Sequence, residues 1–211
     1  MLSNTNEKLT ISDLLKIPKE IILASASPRR RKLLETLGIE FRVLAPKIDE
    51  DNFSNHQPDE IVTELAYRKA KEIAAEVKNS LVIGADTIVF CDGKIFNKPT
   101  GEQEAYNYLK YLSNRTHTVY TGIALYDSDT NKSLVANEQT QVSFRKLDDD
   151  EIWAYIETGS PLDKAGAYGI QDDFGAVFVN KIVGDFYNIV GLPLTLLYLK
   201  LKEFSDNYYK K

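Results

Sequence analysis

Two arginines follow a short serine-containing turn near the start of the chain. The apolar residues 21–23 predict a buried strand, and Ser27 and Pro28 are residue types that begin helices. A strand, a polar turn and a helix N-terminus together expose backbone N–H groups and the positive end of the helix dipole, which favour phosphate. Arg29 and Arg30 add guanidinium donors. The segment predicts a phosphate site, with an ordinary capped strand–helix connection as the alternative.

A carboxylate within an apolar run is the second chemical signal. Asp86 lies inside residues 81–90, which predict a buried strand interrupted at residues 84–87. Burying a carboxylate is costly unless it is paired, bound to a metal or placed at a strand end in a cleft. Gly84 and Ala85 are small enough to let a ligand approach the backbone. Asp86 is therefore a candidate reactive group, and a structural ion pair is the alternative.

Glycine-rich segments towards the C-terminal end are the third signal. Residues 163–171, 184–188 and 191–193 concentrate glycine and other small residues. Such a composition predicts tight contact of the backbone with itself or with a flat ligand. Many loops use glycine for turn geometry only, so this signal gains meaning only beside the other two.

The elements that would position these groups alternate between strand-like and helix-like periodicity, which predicts an α/β protein. The predicted helices cover residues 28–37, 58–77, 102–112, 147–156 and 193–204, and the predicted strands cover residues 21–23, 41–44, 81–90, 118–126 and 134–144. Residues 1–19 are expected to be an extension, either loose or with a short helix over residues 11–16. Residues 20–211 are expected to form a single domain.

The composition excludes several classes of protein. A length of 211 residues with 43% hydrophobic residues fits one globular domain, and 31 acidic against 26 basic residues disfavour extended nucleic acid as a partner. Cys91 alone cannot form an internal disulfide, and His56 and His117 lie in no motif and are expected to be incidental. Neither a signal peptide nor a membrane-spanning run is evident, so we expect a cytoplasmic protein with no membrane partner.

Taken together, the motifs resemble those of the Maf family of nucleoside triphosphate pyrophosphatases. The matching segments are residues 23–30, 84–87, 98–99, 163–171 and 190–193, and the resemblance covers residues 20–200. It implies a mixed, elongated α/β sheet flanked by helices, with a central cleft between two lobes, akin to the inosine triphosphate pyrophosphatases. It also implies hydrolysis of a nucleoside triphosphate to the monophosphate and pyrophosphate, a divalent metal (Mg²⁺ or Mn²⁺) and a homodimer.

Residue by residue, the resemblance implies a role for several side chains. Asp86 matches the catalytic proton acceptor, and Arg30 and Lys98 match cations that contact phosphate. Lys69 matches a lysine on the helix after an acidic loop. Glu50, in that loop, matches a carboxylate that helps to hold metal, and we assign Asp86 as the second metal ligand.

Three positions that mark a division of the family by substrate, Arg29, Thr87 and Gln171, resemble the branch that acts on dTTP and UTP. The branch that acts on 7-methyl-GTP typically has tryptophan at the first position and glutamate at the last. The Gln171 amide offers a donor and an acceptor to the imide edge of uracil or thymine. The predicted substrate-binding set is Ser25, Arg29, Arg30, Lys69, Thr87, Lys98 and Gln171.

The predicted mechanism is metal-assisted attack by a water that Asp86 orients or deprotonates. Cleavage of a phosphoanhydride needs fixed cations and oriented N–H groups, and no serine or cysteine has a base partner for a covalent route. The alternatives are a pyrophosphatase for modified nucleotides such as 7-methyl-GTP, a nucleotidyltransferase, and a nucleotide-binding regulator of cell division. Nucleotidyltransferases usually have glycines where this chain has serine and alanine at residues 25–27.

Overall fold

A mixed β-sheet with helices on both faces forms the frame of the molecule, and the computed structural model describes residues 10–48, 56–171 and 174–210. The helices are α1 (Ile11–Leu15), α2 (Pro28–Glu35), α3 (Pro58–Glu76), α4 (Glu102–Leu112), α5 (Asp149–Glu157), α6 (Phe186–Val190) and α7 (Leu194–Tyr208). The strands are β1 (Glu20–Ala24), β2 (Arg42–Leu44), β3 (Ser80–Cys91), β4 (Lys94–Phe96), β5 (Thr116–Asp127), β6 (Ser133–Phe144) and β7 (Val179–Val183). The predicted α/β class is confirmed.

The sheet has the order β2-β1-β3-β5-β6-β7, with β4 also paired to β3. β1 runs parallel to β2 and β3, and the other pairs are antiparallel. The predicted short helix near residue 11 is present as α1, and its Leu15 is buried in the core beside the sheet. Among the described helices, none has the length and apolar composition needed to cross a membrane.

A notch in the sheet lies along one side of β3. β5 pairs with residues 81–90 of β3, so β1 and β4 share the opposite side. β1 covers residues 80–84 and β4 covers residues 89–91. Within the described part of the chain, no strand pairs with residues 85–88 on that side, and Asp86 lies in this gap.

Helix α3 packs unusually close to the sheet at two glycines. A Cβ added to Gly84 would lie 2.1 Å from the carbonyl oxygen of Ala66, and one added to Gly122 would lie 2.2 Å from that of Val62. The predicted interruption of β3 is therefore wrong, because the strand is continuous from Ser80 to Cys91. Gly84 instead allows α3 to pack closely against the strand. A ligand is also expected to approach the backbone at Gly84, but the backbone of α3 occupies that space.

Substituting Gly84 by alanine should destabilise the fold, since the new methyl group has no room against the α3 backbone. We expect a loss of about 3 kcal/mol in the free energy of unfolding, at the upper end for overpacking, measured by urea denaturation. Gly101→Ala is the matched control, because Gly101 has an extended backbone and no atom lies within 4 Å of the place its methyl group would take. It should cost less than about 1 kcal/mol. Equal losses would contradict the close-packing argument.

On the face of the sheet opposite α3, two hydrophobic cores lie side by side along the same strands. The first includes Ala85 and Ile123 and packs against α2 and α7, and the second includes Val89 and Val119 and packs against α4 and α5. Residues two apart on a strand share a face, so Thr87 lies between Ala85 and Val89 on β3. Its register partner Thr121 lies between Val119 and Ile123 on β5. A pair of threonines therefore lies where the two cores meet.

Candidate active site

A cavity of about 760 Å³ opens at the notch and is lined by residues 86–89 of β3, the turn after β1 and the loops around residues 98, 163–171 and 191. It brings together all of the predicted substrate-binding and catalytic side chains that the structure describes: Ser25, Arg29, Arg30, Lys69, Asp86, Thr87, Lys98 and Gln171. Basic side chains outnumber acidic ones among the described lining residues. Glu50, the other predicted metal ligand, lies outside the described residues.

The turn between β1 and α2 has the geometry that the sequence predicts. Ser27 is the N-cap of α2, its hydroxyl accepts a hydrogen bond from the backbone N–H of Arg30, and Pro28 opens the first turn. The backbone N–H of Ser27 in turn donates to Ser25 Oγ over 3.2 Å. The start of α2 is thus fixed at the cavity wall, where its dipole favours an anion.

Arg30 joins three parts of the cavity wall. Its Nε donates to the carbonyl oxygen of Gly191 over 2.8 Å, and its Nη2 donates to Thr87 Oγ1 over 3.0 Å. Its Nη1 lies 3.5 Å from Ser25 Oγ. The guanidinium plane is therefore set by the C-terminal loop, β3 and the turn after β1 at once. Such a rigid fork suits recognition of a phosphate.

Asp86 is paired with Lys69 of α3. The ammonium nitrogen lies 2.5 Å from Asp86 Oδ1, and the two side chains are 10% and 9% exposed. The structural ion pair considered from the sequence is therefore present, yet it lies in the cavity wall rather than in the core. Truncating one partner of a buried pair typically costs about 3–5 kcal/mol. The pair places the Asp86 carboxyl group and the Lys69 side-chain nitrogen next to each other at the notch.

Arg29 contacts the opposite wall. Its Nη1 donates to Asp163 Oδ2 over 2.7 Å and its Nη2 to the carbonyl oxygen of Asp163 over 3.0 Å. Burial raises the pKa of the Asp163 carboxyl, but hydrogen bonds from Lys164 and Arg29 outweigh it and hold that pKa below its usual value. Arg29 thus ties α2 to the loop that leads to Gln171.

That loop is anchored by two buried hydroxyl groups that the sequence does not single out. Tyr168 OH lies 2.8 Å from His117 Nε2, and the backbone N–H of Gly169 donates to Tyr155 OH over 3.1 Å. Burial raises the pKa of Tyr168 well above its usual value, so the phenol stays protonated. His117, expected to be incidental, therefore helps to hold the backbone of the loop just before Gln171.

His117 should make the fold sensitive to acid. Burial lowers its pKa from 6.5 to about 3, so between these values the unfolded chain binds a proton that the folded chain does not. The free energy of unfolding should fall as the pH drops through this window, by at most about 1.4 kcal/mol per pH unit. Urea denaturation from about pH 7 to about pH 4 measures the slope.

The control for this prediction is the double variant His117→Phe with Tyr168→Phe. Replacing both hydrogen-bond partners by apolar rings of similar shape leaves neither group unpaired. The slope of stability against pH should become shallower in the double variant. Parallel curves for the two proteins would contradict a neutral, buried His117.

Asp86 is a described carboxylate that could bind a metal ion at the cavity. Within the described residues no group of three or more histidine, cysteine, aspartate or glutamate side chains is arranged to hold a metal ion. Mg²⁺ in phosphate-handling sites is usually held by one or two carboxylates together with substrate phosphates. The Asp86 carboxylate in the cavity wall fits that arrangement.

The fold and its cavity place the protein among α/β proteins with a ligand-sized cleft, which here is lined by more basic than acidic described side chains. Within that class, the chain belongs to the Maf family, because the family model described as Maf-like protein matches residues 20–204. Curated relatives agree. A protein of Dictyoglomus turgidum is 46% identical over 89% of this chain and 97% of its own length, and one of Moorella thermoacetica is 48% identical over 83% and 90%.

Both of these relatives are named dTTP/UTP pyrophosphatase, as is a protein of Bacillus cereus that is 45% identical over 89% of this chain and 91% of its own length. Among solved structures, the Staphylococcus aureus Ham1 protein aligns with a TM-score of 0.41 and 17% identity, over 60% of this chain and 72% of that one.

Proposed function

We propose that this protein hydrolyses nucleoside triphosphates, foremost dTTP and UTP, to the monophosphate and pyrophosphate. The observation that carries the proposal is the meeting of Arg30, Lys69 and Lys98 with Asp86 in one cavity of a Maf-family chain. Relatives of the same family that carry the name dTTP/UTP pyrophosphatase support the choice of substrate.

The cations would hold the phosphates and stabilise charge. Breaking the bond between the α and β phosphates develops negative charge on phosphate oxygens, so fixed donors lower the barrier. Arg30 offers a guanidinium held in a single plane, and Lys69 and Lys98 add point charges. Ser25 and the first turn of α2 would complete the cradle with the helix dipole.

Asp86 would orient the attacking water and accept its proton. A divalent metal, Mg²⁺ or Mn²⁺, supplies charge stabilisation and lowers the pKa of a bound water when it is present. Asp86 and Glu50 are the proposed protein ligands for that ion. Lys69 lies against Asp86 and keeps a positive charge beside the reacting groups.

Selection of the base would fall to Gln171, whose amide pairs with the imide edge of uracil or thymine. Arg29 and Thr87 support selection indirectly, because Arg29 holds the loop at Asp163 and Thr87 holds Arg30. We further propose that the activity resides in a single domain over residues 20–211 and that the protein is a homodimer in the cytoplasm.

A comparison of UTP, dTTP, CTP and 7-methyl-GTP at equal Mg²⁺ tests this proposal. We expect kcat/KM for UTP and dTTP to exceed that for 7-methyl-GTP by at least about 100-fold, because a site built for one hydrogen-bonding edge rejects bases that leave its polar groups unpaired. The products are quantified as monophosphate and pyrophosphate.

Each rival gives a different result in the same assay. Preference for 7-methyl-GTP would contradict the assignment of Arg29, Thr87 and Gln171. Addition of a sugar 1-phosphate would reveal a nucleotidyltransferase by formation of an activated sugar. Binding of UTP without turnover would indicate a regulator.

A further inference from the structure

We propose that Thr121 and Asn188 are positioning residues that fix the guanidinium of Arg30 through the hydroxyl of Thr87. Both side chains are fully buried, and neither is among the described residues that line the cavity. The inference rests on the proposed function, in which Arg30 contacts the phosphates. This role would account for the glycines and the asparagine of residues 184–193, to which the sequence alone assigns no specific function.

Thr121 lies in a place that packing alone does not explain. It occurs on the apolar face of β5, between Val119 of one core and Ile123 of the other, directly opposite Thr87 of β3. A buried hydroxyl is costly unless it forms hydrogen bonds. Thr121 Oγ1 has two such contacts, at 3.0 Å from Thr87 Oγ1 and at 2.9 Å from the carbonyl oxygen of Asn188.

The direction of these hydrogen bonds follows from the atoms involved. A carbonyl oxygen only accepts, so the single hydroxyl hydrogen of Thr121 goes to Asn188. Thr87 must then donate its own hydrogen to Thr121, which leaves its lone pairs to accept from Arg30 Nη2. The chain therefore runs in one direction, from Arg30 through both threonines to a backbone carbonyl, and each bond polarises the next.

The end of this chain is itself fixed to the sheet. Asn188 Nδ2 donates to the carbonyl oxygen of Val119 over 3.0 Å and to Thr140 Oγ1 over 2.9 Å. These contacts hold the short helix α6 against β5 and β6. Gly191 ends α6 with a φ of +114°, and its carbonyl oxygen accepts from Arg30 Nε.

One anchored helix thus sets two of the hydrogen bonds of Arg30, one directly through Gly191 and one through the threonines. Without the Thr121 hydroxyl, the hydroxyl hydrogen of Thr87 has no acceptor. It can then rotate towards Arg30, where two donors would face each other and the hydrogen bond from Nη2 would weaken. The guanidinium would then lose the fixed orientation on which electrostatic stabilisation depends.

Thr121→Val removes the hydroxyl while keeping the shape of the side chain. We expect kcat/KM for UTP with Mg²⁺ to fall about 10- to 100-fold, as for other groups that orient a ligand-contacting residue. Thr121→Ser, which restores the hydroxyl, should remain within about 3-fold of the unmodified protein. Thr116→Val is the matched control on the same strand, since Thr116 is exposed, its hydroxyl lies 2.8 Å from Ser143 Oγ, and it is not among the described residues that line the cavity.

The decisive arm repeats Thr121→Val in an Arg30→Lys background. A positioning role through Arg30 predicts a further loss below about 2-fold there, because the interaction is already gone. Binding of inorganic pyrophosphate with Mg²⁺, followed by calorimetry, reports the same coupling without turnover. If the valine variant does not fold, Thr121→Ala replaces it.

Two results would overturn the inference. One is equal kcat/KM for the valine and serine variants. The other is that Thr121→Val lowers kcat/KM by the same factor in the Arg30→Lys variant as in the unmodified protein. Failure of the unmodified protein to hydrolyse UTP would instead count against the proposed function. In that case the pyrophosphate-binding arm still decides whether Thr121 acts through Arg30.

Discussion

Asp86→Asn is expected to lower kcat for UTP by about 1,000-fold while leaving the protein folded, as for loss of a general base. An asparagine has nearly the shape of aspartate and can still accept a hydrogen bond from Lys69, but it cannot take a proton from water. Pyrophosphate release in the steady state measures kcat, and circular dichroism with thermal unfolding checks the fold. A small change in KM would show that the phosphates are held by other groups.

Asp92→Asn provides the matched control for this variant. Asp92 follows β3, is paired with Arg115 at 2.7 Å and has a side chain that is 55% exposed. Its φ of +48° suits asparagine as well as aspartate, so the substitution should leave kcat within about 2-fold. If Asp86 served only as the counter-ion of Lys69, Asp86→Asn would lower stability with little effect on kcat, and the catalytic assignment would be lost.

The parts of the site that the sequence predicts are those with a local chemical signature. Ser27 and Pro28 identify the start of α2 because capping depends on a few adjacent residues, and the structure confirms that start. Asp86 stands out because a carboxylate in an apolar run needs a partner, and the structure supplies Lys69. Alternating periodicity likewise predicts the α/β class, and the resemblance to the Maf family implies a mixed sheet; both are confirmed.

The contacts of the site that the sequence does not predict depend on which strands pair and in what register. Thr87 and Thr121 are separated by 34 positions and meet only because β3 and β5 align them. Arg29 and Asp163 are separated by 134 positions. The expectation of a ligand at Gly84 is wrong for the same reason, since the sequence does not reveal that a helix backbone occupies the space beside it. Contacts of this kind have no periodicity and no local motif.

Arg30→Lys is expected to reduce kcat/KM for UTP by about 100-fold even though the positive charge is kept, as for loss of one oriented donor. A guanidinium can donate to Gly191, to Thr87 and to a phosphate at once, because its donors point in fixed, different directions. An ammonium is a single point with three donors on a flexible stem, so it cannot hold both anchors from the same place.

Arg31→Lys is the matched control, because Arg31 is the next residue of α2 and carries the same substitution. Its side chain is 64% exposed and pairs with Glu35 one turn along the helix, so kcat/KM should stay within about 2-fold. If the two lysine variants behaved alike, charge at the start of α2 would suffice and the fixed plane of Arg30 would have no functional meaning. A loss confined to Arg30→Lys would instead show that orientation, set by Gly191 and Thr87, is what the site requires.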